Sequence, residues 1–179
     1  MARGSATRYG YEAKEFDSVG VKDYPLTCYQ YTIRILKFYQ QIIAELRDKM
    51  LIKLMETPYY KLLDKYCYDI IGLSKIVGEV GNIRRFPNPR KFVSYCGLNV
   101  TEKQSGNTVS QNQHITKKGN RILRFTFYSL AFVNVNKKKG LDVFYERLKA
   151  KGKHSRKAMV ACARKFAVYT YYEMMKCHE

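Results

Sequence analysis

Between Leu36 and Met50 the chain repeats large side chains at alternating steps of three and four: Leu36, Tyr39, Ile43, Leu46 and Met50. That spacing lines all five along one stripe of an α-helix. The segment "YQYTIRILKFYQQIIAELRDKMLIKLME" is therefore predicted to be helical, and Thr57-Pro58 stops it, since proline lacks an amide and clashes with the preceding turn. Two readings of the stripe stay open: a helix packed on its own domain, or a coiled-coil arm that pairs with another copy, for which only two clear heptads are present. Residues 1–25 mix Gly, Ser, Lys, Glu and Asp without either period and are expected to be flexible. The chain thus divides into a stretch expected to be flexible (1–25), a helical arm (26–57) and one further domain (58–179).

Within that domain "YYKLLDKYCYDII", "LSKIVGEVG" and "PRKFVSYCGL" read as short helices separated by Gly72, by Gly81-Asn82 and by "RFPNP", where Pro87 and Pro89 suit an extended connector and Gly97 a closing cap. Residues 99–118 lose helical periodicity. Their Thr, Val, Gln and Asn suit a small β-hairpin around Ser105-Gly106-Asn107. Helices resume with "NRILRFTFYSLAFVNVN", which sets Ile122, Phe125, Ser129 and Phe132 on one face, and with "SRKAMVACARKFAVYTYYEMMK", which does the same for Met159, Cys162, Phe166 and Tyr169. Gly140 and Gly152 mark breaks. The expected fold is mostly α: a helical arm plus a compact helical domain carrying a small hairpin.

Charge narrows the function. The 179 residues carry a formal charge of +18, and it is lopsided: residues 1–102 hold 16 basic and 11 acidic side chains, a net of +5, whereas residues 103–179 hold 17 and 4, a net of +13. Such an excess repels itself unless a polyanion is near, so nucleic acid is the expected partner and its surface lies mainly in the second half. The cations cluster as Arg84, Arg85, Arg90 and Lys91; as Lys117, Lys118, Arg121 and Arg124; as Lys137 to Lys139; and around Lys151, Lys153, Arg156 and Lys157. The second cluster is the most pointed, because Asn120 after Lys117-Lys118-Gly119 is a helix cap, and a capped N-terminus presents amides and a dipole to an anion. Tyr95, Tyr128 and Tyr145, close to these clusters in sequence, are candidates to stack on unpaired bases.

Other chemistries fit poorly. His114, His154 and His178 have no companion ligands at metal-binding spacing, and the five cysteines include no Cys-x-x-Cys pair, which points to reduced thiols and no metal site within the chain. No apolar run reaches membrane-spanning length. Beyond Glu102 the acids are Asp142, Glu146, Glu173 and Glu179, from which a two-metal nuclease cannot be assembled. Ser105 on pattern alone is a turn residue.

The order of landmarks adds to this. "GEVGNIRRFPNPRKFVSYCGLNVTEKQSGNTVSQNQHITKKGNRILR" followed by "VFYERLKAKGKHSRKAMVACARKFAVYTYY" closely resembles the C-terminal domain of insertion-sequence transposases of the 110, 116 and 902 type, over about residues 70–172. The resemblance implies that Ser105 is the nucleophile that attacks a DNA phosphodiester and holds the strand covalently, in a recombination guided by a structured RNA. It implies DNA and guide RNA as partners and a prokaryotic cytoplasmic, nucleoid-associated protein. In that family an N-terminal RuvC-like domain supplies four acids that bind divalent metal. Nothing in residues 1–57 resembles it, so Mg2+ is expected only with such a domain, separately encoded, and the chain reads as a truncated or split gene product. The stretch "DIIGLSKIVGEVG" is shorter than the family's, although Gly72 remains. The alternative is a non-catalytic DNA- or RNA-binding remnant.

Overall fold

Helix α1 runs from Tyr24 to Met55 in the computed structural model, which describes residues 24–99, 104–105, 108–109, 115 and 118–178. The chain divides into two units, Met1–Leu46 and Arg47–Glu179. In the first, the described residues are the helical ones, and the apolar stripe is open: Leu36, Tyr39 and Ile43 are 56%, 57% and 58% exposed, with Ile35 and Phe38 beside them equally bare. A contiguous apolar surface of this kind normally meets a partner. Each side chain buried there is worth about 1.5–3 kcal/mol, so if the stripe joins two copies, Ile43→Asp is expected to convert a dimer to monomers in sedimentation. An unchanged mass after the substitution removes the stripe from any account of assembly.

The second unit begins within α1, whose Leu54 is buried in its core. The Thr57 hydroxyl donates to the Leu54 carbonyl at 2.7 Å, and Pro58 opens a 3-10 helix, Pro58–Asp64. The predicted helix over "YYKLLDKYCYDII" is split here. Lys65 to Asp69 are not helical, Tyr66 sits at φ +55°, and Asp69 restarts the chain by capping α2 (Ile70–Val80), its carboxylate accepting from the Gly72 amide at 3.1 Å. Gly72 is thus inside a helix and not a separator. A β-carbon on it would lie 2.5 Å from Asp69 Oδ1 and 3.2 Å from a Leu130 methyl, so glycine lets the cap form and a neighbouring helix approach.

Gly81 at φ +60° ends α2 as its cap, and a 3-10 turn, Ile83–Arg85, leads to α3 (Pro89–Tyr95). Pro89 opens that helix, where "PRKFVSYCGL" is predicted to begin, and is not part of the "RFPNP" connector. Asn88, extended as a residue before proline must be, accepts from the Lys91 amide at 2.9 Å, and the ring's fixed φ suits the first helical position. After α3 the described backbone pairs β1 (Gln104–Ser105) antiparallel with β2 (Thr108–Val109), Gln104 opposite Val109 and Ser105 opposite Thr108. Two residues a side fall short of even a short ordinary strand. The hairpin expected around residues 99–118 is therefore not supported as an element of the fold, and most of that stretch lies outside the described residues.

Three helices complete the unit: α4 (Arg121–Asn136), α5 (Asp142–Ala150) and α6 (Ser155–Lys176), divided at Gly140 and Gly152 as expected. Helix α6 is central, with α3, α4 and α5 against it and α2 on α4. Its Met159, Cys162 and Phe166 are buried and Tyr169 is partly so, as the periodicity predicts. Phe127 makes edge-on ring contacts with Phe92 and Phe166, with centroids 5.9 and 6.3 Å away. Helix α4 is turned differently from expectation. It buries Leu123, Phe127, Leu130 and Ala131, while Ile122, Phe125 and Phe132 are 47%, 66% and 51% exposed. Both stripes have helical spacing; only the surface offered by α2 and α6 decides which one is covered.

Candidate nucleic-acid interface

The start of α4 is fixed by contacts to both α2 and the end of α3. Asn120 caps it, its side-chain oxygen accepting from the Leu123 amide at 3.0 Å, as the Lys-Lys-Gly-Asn turn predicts. The Asn120 side-chain amide donates to the Glu79 carboxylate of α2, and its backbone amide donates to the Tyr95 carbonyl at 2.7 Å. Gly119 adopts φ +136°. A β-carbon there would sit 2.6 Å from both the Gly97 nitrogen and the Tyr95 carbonyl oxygen, and 2.8 Å from the Gly97 Cα. Gly97, at φ +67°, would in turn place a β-carbon 2.6 Å from an Arg124 guanidinium nitrogen. The end of α3 and the start of α4 thus meet backbone to backbone through two glycines. This contact aims the first amides of α4, with the positive end of its dipole, to the side where Lys118 and Arg121 are exposed.

Next to this corner lies a cleft of about 270 Å³ lined by Ile115, Arg121, Arg124, Phe125, Tyr128 and Val160. It joins the first two turns of α4 to the second turn of α6. Because Arg156 and Arg164 stand four residues before and after Val160, they share its face of α6, and both are exposed. Arg164 is a cation that the charge-cluster reading passed over; its signal was the four-residue spacing to Arg156, visible only once α6 is known to face the cleft. At the other end of α4 a cleft of about 580 Å³ is lined by Tyr66, Asp69, Ser129, Lys137 and Lys139 among others.

The remaining candidates are distributed unevenly. Lys151, Lys153, Arg156 and Lys157 are exposed about the α5–α6 turn, where a His154 ring nitrogen accepts from the Arg156 amide at 3.3 Å. Arg84 donates to the His178 carbonyl at 2.8 Å; Arg85 donates to the Glu79 carbonyl at 3.2 Å and lies 4.7 and 4.8 Å from the Phe86 and Tyr95 ring centres. Both arginines therefore have work within the fold. Tyr95 is engaged by Arg85 and by its own hydroxyl bond to Glu79, while Tyr128 and Tyr145 are partly buried against the core. Gly72, whose amide is held by Asp69, is buried and presents nothing to a phosphate. Ser105 is the second residue of β1; Lys117, His114 and Ser110 lie outside the described residues.

Several carboxylates have structural partners. Glu79 holds Asn120, Asp69 caps α2, and Asp142 accepts from the Gly140 amide at 3.1 Å. Hydrogen bonds from Lys65 and then Lys176 hold the Glu173 carboxyl below its ordinary range. Among the described residues no three His, Cys, Asp or Glu side chains are grouped to hold a metal. Burial pushes the Cys96 thiol up to about 12 and that of Cys162 up to about 11, which leaves both protonated and inert at neutral pH. No described helix is long and apolar enough to cross a membrane.

Residues 68–146 match the model of the Transposase IS116/IS110/IS902 family. Over 85 residues the chain is 33% identical to a protein of Streptomyces coelicolor described as "Insertion element IS110 uncharacterized 43.6 kDa protein", a stretch that covers 48% of this chain and 21% of that relative. Both similarities support that family. The matched segment runs from the loop before α2 into α5 and includes Ser105, the Gly97–Gly119 contact and the capped start of α4.

Proposed function

We propose, from the match of residues 68–146 to the insertion-sequence transposase family, that this chain supplies the serine-bearing and DNA-holding part of a transposase. Ser105 is the nucleophile. Its oxygen forms a bond to a DNA phosphorus as one ester P–O bond of the backbone breaks, the hydroxyl proton passing to a base and the leaving strand oxygen taking up a proton. One ester replaces another, so no external energy source is required. The cations flanking the start of α4, Lys117, Lys118, Arg121 and Arg124, offset the charge that gathers on the phosphate in flight, and the exposed groups near α6 hold the strand. The carboxylates that would complete the site come from a RuvC-like domain, since no three described His, Cys, Asp or Glu side chains are grouped to hold a metal. A structured guide RNA is a further partner by the same family reading.

What carries the proposal is that one matched segment contains both the serine and the cation-flanked helix start. The test is covalent capture: labelled DNA, guide RNA and magnesium are expected to yield a protein–DNA adduct when a RuvC-like domain of the family is present and none without it. DNA binding with no adduct under either condition would favour the non-catalytic remnant.

Binding itself has a distinct signature. If the exposed cations neutralise about six phosphates, affinity falls roughly a thousandfold between 50 and 200 mM salt. Arg121→Glu with Arg124→Glu is expected to weaken binding about tenfold or more, as loss of charged hydrogen bonds implies, whereas Lys49→Glu with Lys53→Glu on α1 changes it far less. A flat salt titration, or equal effects of the two pairs, would remove the α4 terminus from the interface.

A further inference from the structure

We infer that the cleft between α4 and α6 takes one unpaired DNA base, stacked on Phe125; this rests on the DNA-binding reading above and assigns it a specific contact. Phe125 is the most exposed phenylalanine among the described residues, at 66%. It lies on the α4 stripe that the fold leaves uncovered, not on the stripe that builds the core. Such a ring on a strongly cationic protein has a natural occupant in a nucleobase, whose flat face it can cover whatever the base's identity.

The surroundings suit a nucleotide rather than a protein side chain. The cleft walls are apolar at Phe125, Ile115 and Val160, while Arg121 and Arg124 stand one turn and one residue before the ring. Arg156 and Arg164 flank Val160 on the opposite helix. An apolar floor bordered by guanidinium groups matches a base with a phosphate on either side. At about 270 Å³ the space lies below the ~300 Å³ at which pockets for larger ligands begin, and it admits one base, not a stacked pair. Of the tyrosines that proximity to the clusters suggested, Tyr95 is committed to Arg85 and Glu79 and Tyr145 to the core, while Tyr128 lines the cleft but is half-buried against the core and leaves Phe125 as the exposed ring. DNA is the source favoured here because the matched family is one of transposases.

The experiment compares the full chain on three probes labelled at one end: a perfect DNA duplex, the same duplex with one bulged base, and the same bulge with that nucleotide made abasic. Wild-type protein is expected to prefer the bulged duplex over both others. Phe125→Ala, and equally Phe125→Leu, which keeps apolar bulk but not the flat ring, are expected to lose about five- to a hundredfold on the bulged probe and leave the perfect duplex within twofold. Phe132→Ala, another exposed ring on the same helix, serves as the control and is expected to change neither. Normal duplex binding with no preference for the bulge, or a preference that survives Phe125→Ala, overturns the inference while leaving the DNA-binding reading intact. A bulged RNA duplex is run beside these three probes, and a preference confined to it also overturns the inference. Failure to bind any DNA would sink both.

Discussion

Ser105→Ala is expected to eliminate the covalent protein–DNA adduct, even with the RuvC-like domain, guide RNA and magnesium supplied, and to leave DNA affinity within about twofold. A phosphodiester adduct requires an oxygen nucleophile, and a β-methyl has none, so the effect is all or nothing rather than graded. Affinity survives because one hydroxyl contributes little beside many cationic contacts, each bringing its own release of counterions. Ser110→Ala is the informative control. Ser110 stands five residues further on in the same polar stretch, and if Ser105 carries the bond, this variant still forms the adduct. An adduct that persists in Ser105→Ala and disappears in Ser110→Ala would move the chemistry to the second serine. Loss of duplex binding in Ser105→Ala would mean that the residue supports structure rather than reaction.

The largest loss of stability is expected at Gly119. Its φ of +136° is a backbone state that side chains rarely adopt, and a β-carbon would come within 2.6–2.8 Å of three backbone atoms of Tyr95 and Gly97. Backbone atoms cannot swing aside as a side-chain tip can. Strain of about 1–3 kcal/mol for the conformation adds to about 1–3 kcal/mol for overpacking, so Gly119→Ala should cost about 2–6 kcal/mol. That is a large part of a domain's usual ~5–15 kcal/mol. The loss should appear as a shift of the urea midpoint with no change in slope. It should also spread to the interface, because parting the two turns breaks the hydrogen bond from the Asn120 amide to the Tyr95 carbonyl and shifts the cap of α4. Gly78→Ala provides the contrast: it lies within α2 with nothing inside 4 Å of a built β-carbon, and should hold or raise the midpoint. A wild-type midpoint for Gly119→Ala would show that the α3 and α4 ends do not meet as described.

The polar stretch before α4 shows where sequence reading is strong. Asn120 as a cap, Gly81 and Gly97 as left-handed residues at helix ends, and Gly140 and Gly152 as breaks were all legible, because capping and positive φ depend on a few neighbouring backbone groups and little else. Gly72 shows the opposite. The same residue type that ends a helix by its own conformation was here required by a neighbour's approach, Leu130 from α4 and the capping Asp69, and no local pattern distinguishes the two.

By itself, then, the sequence determined that this is a mostly helical protein with an apolar stripe on a long N-terminal helix, a cationic second half, and a serine in a stretch similar to a transposase family, because periodicity, charge and motif order are properties of the chain alone. Tertiary structure decided which of two equally periodic stripes on α4 would be buried, which arginines were taken up within the fold, and that α6 would bring Arg156 and Arg164 beside a cleft carrying Phe125. Those outcomes depend on what stands opposite each side chain. A helix of period 3.6 with apolar residues on two sides offers two solutions of similar local merit, and only the surfaces of α2 and α6 choose between them.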